Sequence, residues 1–364
     1  MSNIELGLDT FGDVTMDAGG RLQPQARVLR DVITEAELAD RVGVDFFGVG
    51  EHHRPDFAIS APEVLLGAIA GRTERLRLGT AVTVLSSDDP IRVYQRFSTL
   101  NAVSNGRAEV ILGRGSFTES FPLFGYSLDD YNVLFEEKLA IFAALRDADR
   151  TGQPIRWKGT VRPPLDGVRV YPPVEHPPLS TWVGVGGSPE SVVRAARYGF
   201  PLTLAIIGGD PRRFAPYVEL YHRALEQFGH GTLPVGIHSP GHIAETDAKA
   251  QAQLWPAYQV MRNRIGAERG WGPTSRAEFD QEIAVGSLYV GAPDTVARKI
   301  AGTVSALGAS RFDLKYSAGT LGHEIMLRSI ELYGGEVIPR VRQLISEAPV
   351  RAEENVVAGV ATKA

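Results

Sequence analysis

VGVGGSPESVVRAARYG, residues 183–199, packs a strand, a turn and a helix into one short stretch, and the rest of the chain repeats that order. Val183 and Val185 alternate with glycine, Gly186 and Gly187 form the turn, and Ser188-Pro189 opens the helix. Ser188 suits the N-cap, where its oxygen accepts from a free amide, and Pro189 suits the first helical position, where no N–H is needed. The free amides of that first turn and the helix dipole together make an anion site. Gly186 and Gly187 let the backbone approach a phosphate closely, and Ser188 and Ser191 add hydroxyls. Three readings are open: a dinucleotide loop, a phosphate cup of another kind, and a capped turn that binds nothing. A dinucleotide loop needs a third glycine where Pro189 stands, although Asp210 sits near the offset expected of a ribose acid. Glu190 would repel a phosphate unless it faces away.

Outward from this unit the same alternation recurs. Before it, strand-like segments 4–10, 44–50, 76–85 and 107–113 alternate with helical patterns at 25–42, 62–71, 90–103 and 128–145. Val28, Leu29, Val32, Ile33, Ala36 and Ala39 mark one face of the first helix. After it come strands at 201–207, 233–241 and 311–317, with helices at 211–228, from about Thr246, at 294–307 and at 322–345. Two stretches break the rhythm. Residues 153–178, after the fourth strand's helix, are proline-rich with short β-like pieces, and 268–292, before the eighth strand, read as irregular. Eight strands, each followed by at least one helix, need parallel crossovers, which pack right-handed. The pattern predicts an α/β fold of the (β/α)8 TIM-barrel class, with an open doubly wound sheet as the rival, since counting strands does not show closure. A single barrel over residues 1–348 is expected, with 349–364 a loose, disordered tail.

Composition narrows the class of function. The 364 residues carry 43% hydrophobic and 22% charged residues and a net charge of −5, with no basic tract for nucleic acid or an acidic membrane surface. The absence of cysteine excludes disulfides, thiolate nucleophiles and thiolate-bound metals. The opening MSNIELGLDTFGD has acidic residues where a signal peptide carries a basic region, and no apolar run approaches the roughly 20 residues of a membrane span. A cytoplasmic location is expected.

In a barrel, chemistry sits on the loops at the C-terminal ends of the strands. ILGRGSF (111–117) holds Arg114 between two glycines, as a phosphate partner or as a solvated arginine beside a turn. GEHHRPD (50–56) places His52 and His53 at a strand end. Adjacent strand residues face opposite ways, so the pair does not converge on a metal, and no metal is expected. Either histidine suits proton transfer, or is simply a hydrogen-bonded strand end. GTAV (79–82) offers small residues against which a flat ligand can lie, or plain core packing. Lys315 on the last strand is a Schiff-base candidate, although such lysines more often pair with an acid or snorkel outward.

Taken together these loops resemble the bacterial luciferase-like family of flavin-dependent monooxygenases, particularly its uncharacterised probable-oxidoreductase branch. The resemblance spans nearly the whole chain. It is carried by EHH (51–53), LGTAVTVLSSDDPIRVYQRFSTLNAVSNGRAEVILGRGS (78–116), SFPLFG (120–125), WVGVGGSPESVVRAARYG (182–199), LYVGAPDTVARKI (288–300) and FDLKYSAGTLGHEIMLRSIELYGGEVIPRVR (312–342). It implies an FMN-binding barrel, or in some members a deazaflavin-binding one. Arg114, the Gly187 and Ser188 backbone, and the Ser188 and Ser191 hydroxyls would hold the FMN phosphate, with Gly186 in the same turn. Thr80, Ala81 and Val82 would back the flavin ring, Ala81-Val82 matching the place of a non-prolyl cis peptide. His52 matches a catalytic histidine, with His53 beside it. The resemblance implies reduced FMN and O2 as co-substrates, a small organic substrate, a separate flavin reductase as electron donor, and a homodimer or higher homo-oligomer. A flavin-binding protein without monooxygenase activity is the rival. Gly113 stands where luciferase has a reactive cysteine, and only 268–287 is a candidate lid, so no light emission is expected.

Overall fold

Val28, Val32, Ala36 and Ala39, spaced one helical turn apart, are all buried in the computed structural model of this protein. The same logic of an apolar helix stripe covering a buried strand recurs round the barrel. The structure describes residues 4–115 and 117–347. The expected tail, 349–364, lies outside the described residues, as does Ser116.

The strands in chain order are β1 (Glu5–Thr10), β2 (Phe46–Val49), β3 (Arg77–Thr80), β4 (Thr83–Val84), β5 (Glu109–Gly113), β6 (Ile155–Trp157), β7 (Leu165–Val168), β8 (Ser180–Val185), β9 (Leu202–Ala205), β10 (Val235–Ile243), β11 (Tyr289–Gly291) and β12 (Arg311–Lys315). Between them run α1 (Gln25–Arg41), α2 (Pro62–Ala70), α3 (Pro90–Val103), the short α4 (Ser120–Leu123), α5 (Tyr131–Thr151), α6 (Pro189–Arg197), α7 (Ala215–Gln227), α8 (Asp247–Arg269), α9 (Arg276–Ala284) and α10 (Pro293–Leu307). The closing α11 (His323–Leu332) and α12 (Ile338–Glu347) are joined by one wide turn at Tyr333–Val337. The parallel sheet runs β3-β2-β1-β12-β10-β9-β8-β5-β4. Its two end strands are consecutive pieces of one strand, interrupted at Ala81 and Val82, and Leu78 bridges in parallel to Ala108 beside β5. The sheet is therefore a nearly closed barrel, as expected, and the open doubly wound sheet is set aside. Among the described residues no helix is long and apolar enough to cross a membrane.

Both interruptions fall where expected. The proline-rich one is the antiparallel β6–β7 hairpin, lying off the barrel. The stretch before the last strand is more ordered than its sequence suggested. α8 continues to Arg269, β11 pairs with the end of β10, and α9 occupies the middle. Ser275 and Glu278 form a reciprocal capping box that starts α9. The Glu282 carboxylate then ties α9 to the Gly209 and Ser287 amides.

The barrel interior is filled in layers. At the N-terminal end, Arg311 is wholly buried and pairs with Glu109 and Asp313, its guanidinium stacked 3.7 Å from the Phe46 ring centroid. Above it, Phe46, Ile111 and Trp182 pack together, with Val82 against them. These layers fill the lower barrel with side chains.

Candidate functional site

β5 and β8 lie side by side in parallel register as far as Leu112 opposite Val183. The loops that follow them, carrying Arg114 and Gly186–Ser188, therefore leave the barrel together. Arg114 makes one long hydrogen bond, 3.4 Å to the Asn132 oxygen, and lies 5.4 Å from the Tyr131 ring centroid. Among the described residues it has no carboxylate partner. Nearby Arg194 differs: it is ion-paired to Glu136 and reaches the Ser191 hydroxyl at 3.3 Å. Tyr131 feels the charge of both arginines. Burial pushes its phenol above the usual value, while the charges of Arg114 and Arg194 both pull it down.

Ser188 caps α6, its oxygen accepting from the Ser191 amide at 3.3 Å and its hydroxyl donating to Ser191 Oγ at 2.8 Å. Gly187 has φ +101°, a left-handed conformation that favours glycine, and a Cβ there would stand 3.3 Å from the Phe214 ring. A Cβ at Gly186 would meet nothing within 4 Å, so the space above the turn is open. Glu190 is exposed. Asp210, the acid of the dinucleotide reading, instead caps the turn Pro211–Phe214 and pairs with Arg212.

The wall between these loops and the barrel axis is made of small residues. The Ala81-Val82 peptide is cis. Thr80 is buried, its hydroxyl bonded to Thr83 at 2.9 Å. Val82 fills the space that two glycines leave: a Cβ on Gly113 would be 2.5 Å from its Cγ2, and one on Gly184 would be 3.0 Å from its Cγ1. A thiol at position 113 would thus collide with Val82, which gives the departure at Gly113 a steric partner. Gly50 is crowded too: a Cβ there would collide with the Phe11 ring and stand 2.9 Å from the Ala81 carbonyl oxygen.

His52 and His53 diverge, as their adjacency on an extended segment requires. His52 sits in an aromatic box, with ring centroids at 4.9 Å (Phe11), 4.6 Å (Phe57) and 5.1 Å (Phe117). Its Nδ1 is 3.2 Å from Glu119 Oε1, while Nε2 has no partner among the described residues. Burial raises the Glu119 carboxyl, but the His52 hydrogen bond and charge, together with the Glu119 and His53 backbone hydrogen bonds, outweigh this and hold it below the ordinary value. His53 turns to Glu51, 2.8 Å away, and that bond raises its basicity against the opposing effect of burial. Glu51 also accepts from the Val84 amide at 3.2 Å, so His53 is joined to the strand that carries the cis peptide.

Lys315 is buried and bonded to Asp13 at 2.9 Å and to the Ser317 carbonyl at 2.5 Å. It is the acid-paired lysine of the plainer reading, engaged on two sides rather than free for a carbonyl. Three features escaped the reading of single loops: Glu119 behind His52, Asn132 beside Arg114, and the Asp9–His238 pair described below. Each is a contact between distant segments, and no local motif marks it.

A cation lacking an anion, open space over a glycine turn and a capped helix start form a cradle whose donor set fits a phosphate monoester. The small-residue wall beside it fits a flat ring. Comparisons with known proteins agree with this architecture. An uncharacterized protein of Sinorhizobium fredii is 24% identical over 357 residues, covering 90% of this chain and 96% of its own. The alkanal monooxygenase alpha chain of Photobacterium leiognathi is 24% identical over 344 residues, covering 86% and 94%. Among solved structures, monooxygenase RslO1 from Streptomyces bottropensis superposes with a TM-score of 0.79 at 23% identity, over 92% of this chain and 99% of its own. The oxygenating constituent of 3,6-diketocamphane monooxygenase of Pseudomonas putida, in complex with FMN, superposes at 0.73 with 19% identity, over 93% and 99%. An F420-dependent secondary alcohol dehydrogenase superposes at 0.70 with 18% identity, over 93% and 99%. The sequence profile described as luciferase-like monooxygenase matches residues 11–311, and the chain belongs to that family.

Proposed function

We propose that this protein is a flavin-dependent monooxygenase that takes reduced FMN and O2 and oxidises a small organic substrate, the reduced flavin coming from a separate reductase. The observation that carries this reading is Arg114. It is a guanidinium without a carboxylate partner among the described residues, on the strand end next to a capped, glycine-opened helix start. Family membership supports a flavin as the ligand of that cradle. Arg114, the Gly187 and Ser188 backbone and the Ser188 and Ser191 hydroxyls would hold the phosphate, beside Gly186. Thr80, Ala81 and Val82 would back the ring. When bound, reduced FMN supplies the electrons that let O2 place one oxygen atom on a substrate and release the other as water.

The chain's own residues do the rest. Phe11, Phe57 and Phe117 surround His52 and keep water from the region above the barrel, where an apolar substrate would lie. Glu119 accepts from His52 Nδ1, which fixes the ring and leaves Nε2 to hold or give a proton. His53, tied to Glu51, has a supporting place in the same loop. The active assembly is proposed to be a homodimer or higher homo-oligomer in the cytoplasm.

The test pairs the purified protein with an NADH-dependent flavin reductase, FMN and a panel of ketones, aldehydes, thioethers and arenes under 18O2. One 18O atom in a product, lost in His52→Ala, is the expected result. FMN binding with no labelled product from any class, and reduced-FMN oxidation unchanged by the protein, would favour a flavin carrier. Substituting a deazaflavin in the same assay identifies the alternative cofactor.

A further inference from the structure

Opposite the small-residue wall, the barrel mouth is lined by charge. Asp9 on β1 is wholly buried, and its Oδ2 lies 2.7 Å from Nδ1 of His238 on β10. Its other oxygen, Oδ1, is buried with no hydrogen-bond partner among the described residues. The carboxylate accepts, so His238 Nδ1 carries a proton and Nε2 is the nitrogen left for another molecule. Among the described residues Nε2 has no partner. The His238 side chain keeps 12% of its surface exposed, whereas Asp9 keeps none, so the imidazole is the reachable member of the pair.

Phe11 lies beside this imidazole. Its ring lies parallel to His238, 6.2 Å between centroids at 15°, and meets His52 edge-on at 4.9 Å. One aromatic ring therefore separates the two histidines, and both serve the same mouth. Burial disfavours the His238 cation, but the Asp9 charge and hydrogen bond outweigh it and raise its basicity. The other charged groups near it are Asp313 and Lys315 on β12. Asp313 favours the cation and is itself bound to Arg311, whereas Lys315 opposes it and is bound to Asp13.

We propose that His238, oriented by Asp9 and carrying a proton on each ring nitrogen, is a substrate-anchoring residue that donates from Nε2 to a carboxylate or carbonyl oxygen of the organic substrate. The aromatic box around His52 then takes the apolar part. This deepens the monooxygenase reading by naming the substrate class: an oxygen-bearing molecule with an apolar body, rather than a bare hydrocarbon. An imidazole whose one polar partner among the described residues is a charge behind it is built to present its other face. If it served packing alone, its second nitrogen would find an internal acceptor.

The experiment uses the full chain with 13C-labelled histidine and two probes that share a ring, benzoate and benzyl alcohol. Benzoate is expected to shift the His238 imidazole signal at millimolar concentration, and benzyl alcohol is not. His238→Gln is expected to weaken benzoate binding at least tenfold and to change FMN affinity less than twofold. Asp9→Asn keeps an acceptor but removes the charge. It is expected to move the His238 titration to lower pH and to weaken benzoate at pH 7, and this result stands even if His238→Gln does not fold. Equal benzoate binding in wild type and Asp9→Asn, or an unmoved His238 signal, overturns the proposal. An equal loss of FMN affinity in His238→Gln also overturns it, by placing the residue in the cofactor site. FMN binding to the wild type is measured separately, so failure of the flavin reading is distinguishable from failure of this one.

Discussion

His52 Nδ1 and Glu119 Oε1 stand 3.2 Å apart, although 67 residues separate them in the chain. This contact converts an imidazole at a strand end into one with a fixed tautomer. Replacing Glu119 with Gln keeps the shape and removes the charge. We expect kcat to fall about tenfold, against the roughly 10²–10⁴-fold expected for His52→Ala, which removes the proton carrier itself. FMN affinity and thermal stability should stay within error of wild type. Steady-state kinetics with the substrate identified under 18O2, alongside a flavin titration, check this, and a matched loss of flavin affinity would assign Glu119 to cofactor binding.

Gly113 and Val82 offer a test of packing. A Cβ at position 113 would lie 2.5 Å from Val82 Cγ2, and a β-branched side chain has little freedom to yield. Gly113→Ala should destabilise by about 1–3 kcal/mol, the usual cost of overpacking. Val82→Ala on top of it should recover most of that loss. Denaturant melts of the two single variants and the double variant read the coupling. Additive effects would mean that the two residues do not share the space.

Much of this architecture was legible beforehand. Helical spacing at Val28, Val32, Ala36 and Ala39, the prolines at 62, 90 and 189, and the β-branched runs marked the alternating elements, because local physics alone sets those features. α9 was missed because its buried face is a single residue, Phe279, so it shows no stripe. Its Ser275…Glu278 capping box was the available signal. Of the site, the Arg114 and Ser188 loops were legible as neighbours on consecutive strand ends, and the β5–β8 pairing places those ends side by side. Lys315 is separated from Asp13 by 302 positions, and His238 from Asp9 by 229, so closure of the barrel makes those pairs and no spacing rule reveals them.

Stability should fall as pH rises from 6.5 toward 8. His53, His238 and His323 have raised affinity for protons in the fold, through Glu51, Asp9 and Glu35 respectively, although burial opposes it in each. Burial lifts the Asp313 carboxyl to about 7. In all four groups the folded state holds the proton more tightly than the unfolded chain does. The histidine contributions are complete below 6.5 and are lost as pH climbs through the raised folded-state values. The Asp313 contribution is complete only below the ordinary carboxyl range, and its last part is lost near 7. Buried His242, lowered by burial, acts the other way, but only below 6.5. Lys138 and Lys299, brought down to about 8 by burial, reverse the trend above that pH. Thermal melts across pH 6 to 9 should show the decline and its turn, and His323→Asn should flatten the decline. A Tm that rises steadily from 6.5 to 8 would contradict this assignment.

The central claim is that Arg114 and the start of α6 hold a flavin phosphate. The direct measurement is an anaerobic titration of reduced FMN into wild type and Arg114→Ala, repeated with reduced riboflavin, which lacks the phosphate. A charge-assisted hydrogen bond contributes about 1.5–3 kcal/mol, so Arg114→Ala should weaken FMN roughly 10- to 150-fold. Riboflavin should bind wild type weakly and be indifferent to the substitution. Equal FMN affinity in the two proteins, or an equal loss for riboflavin, would contradict the account.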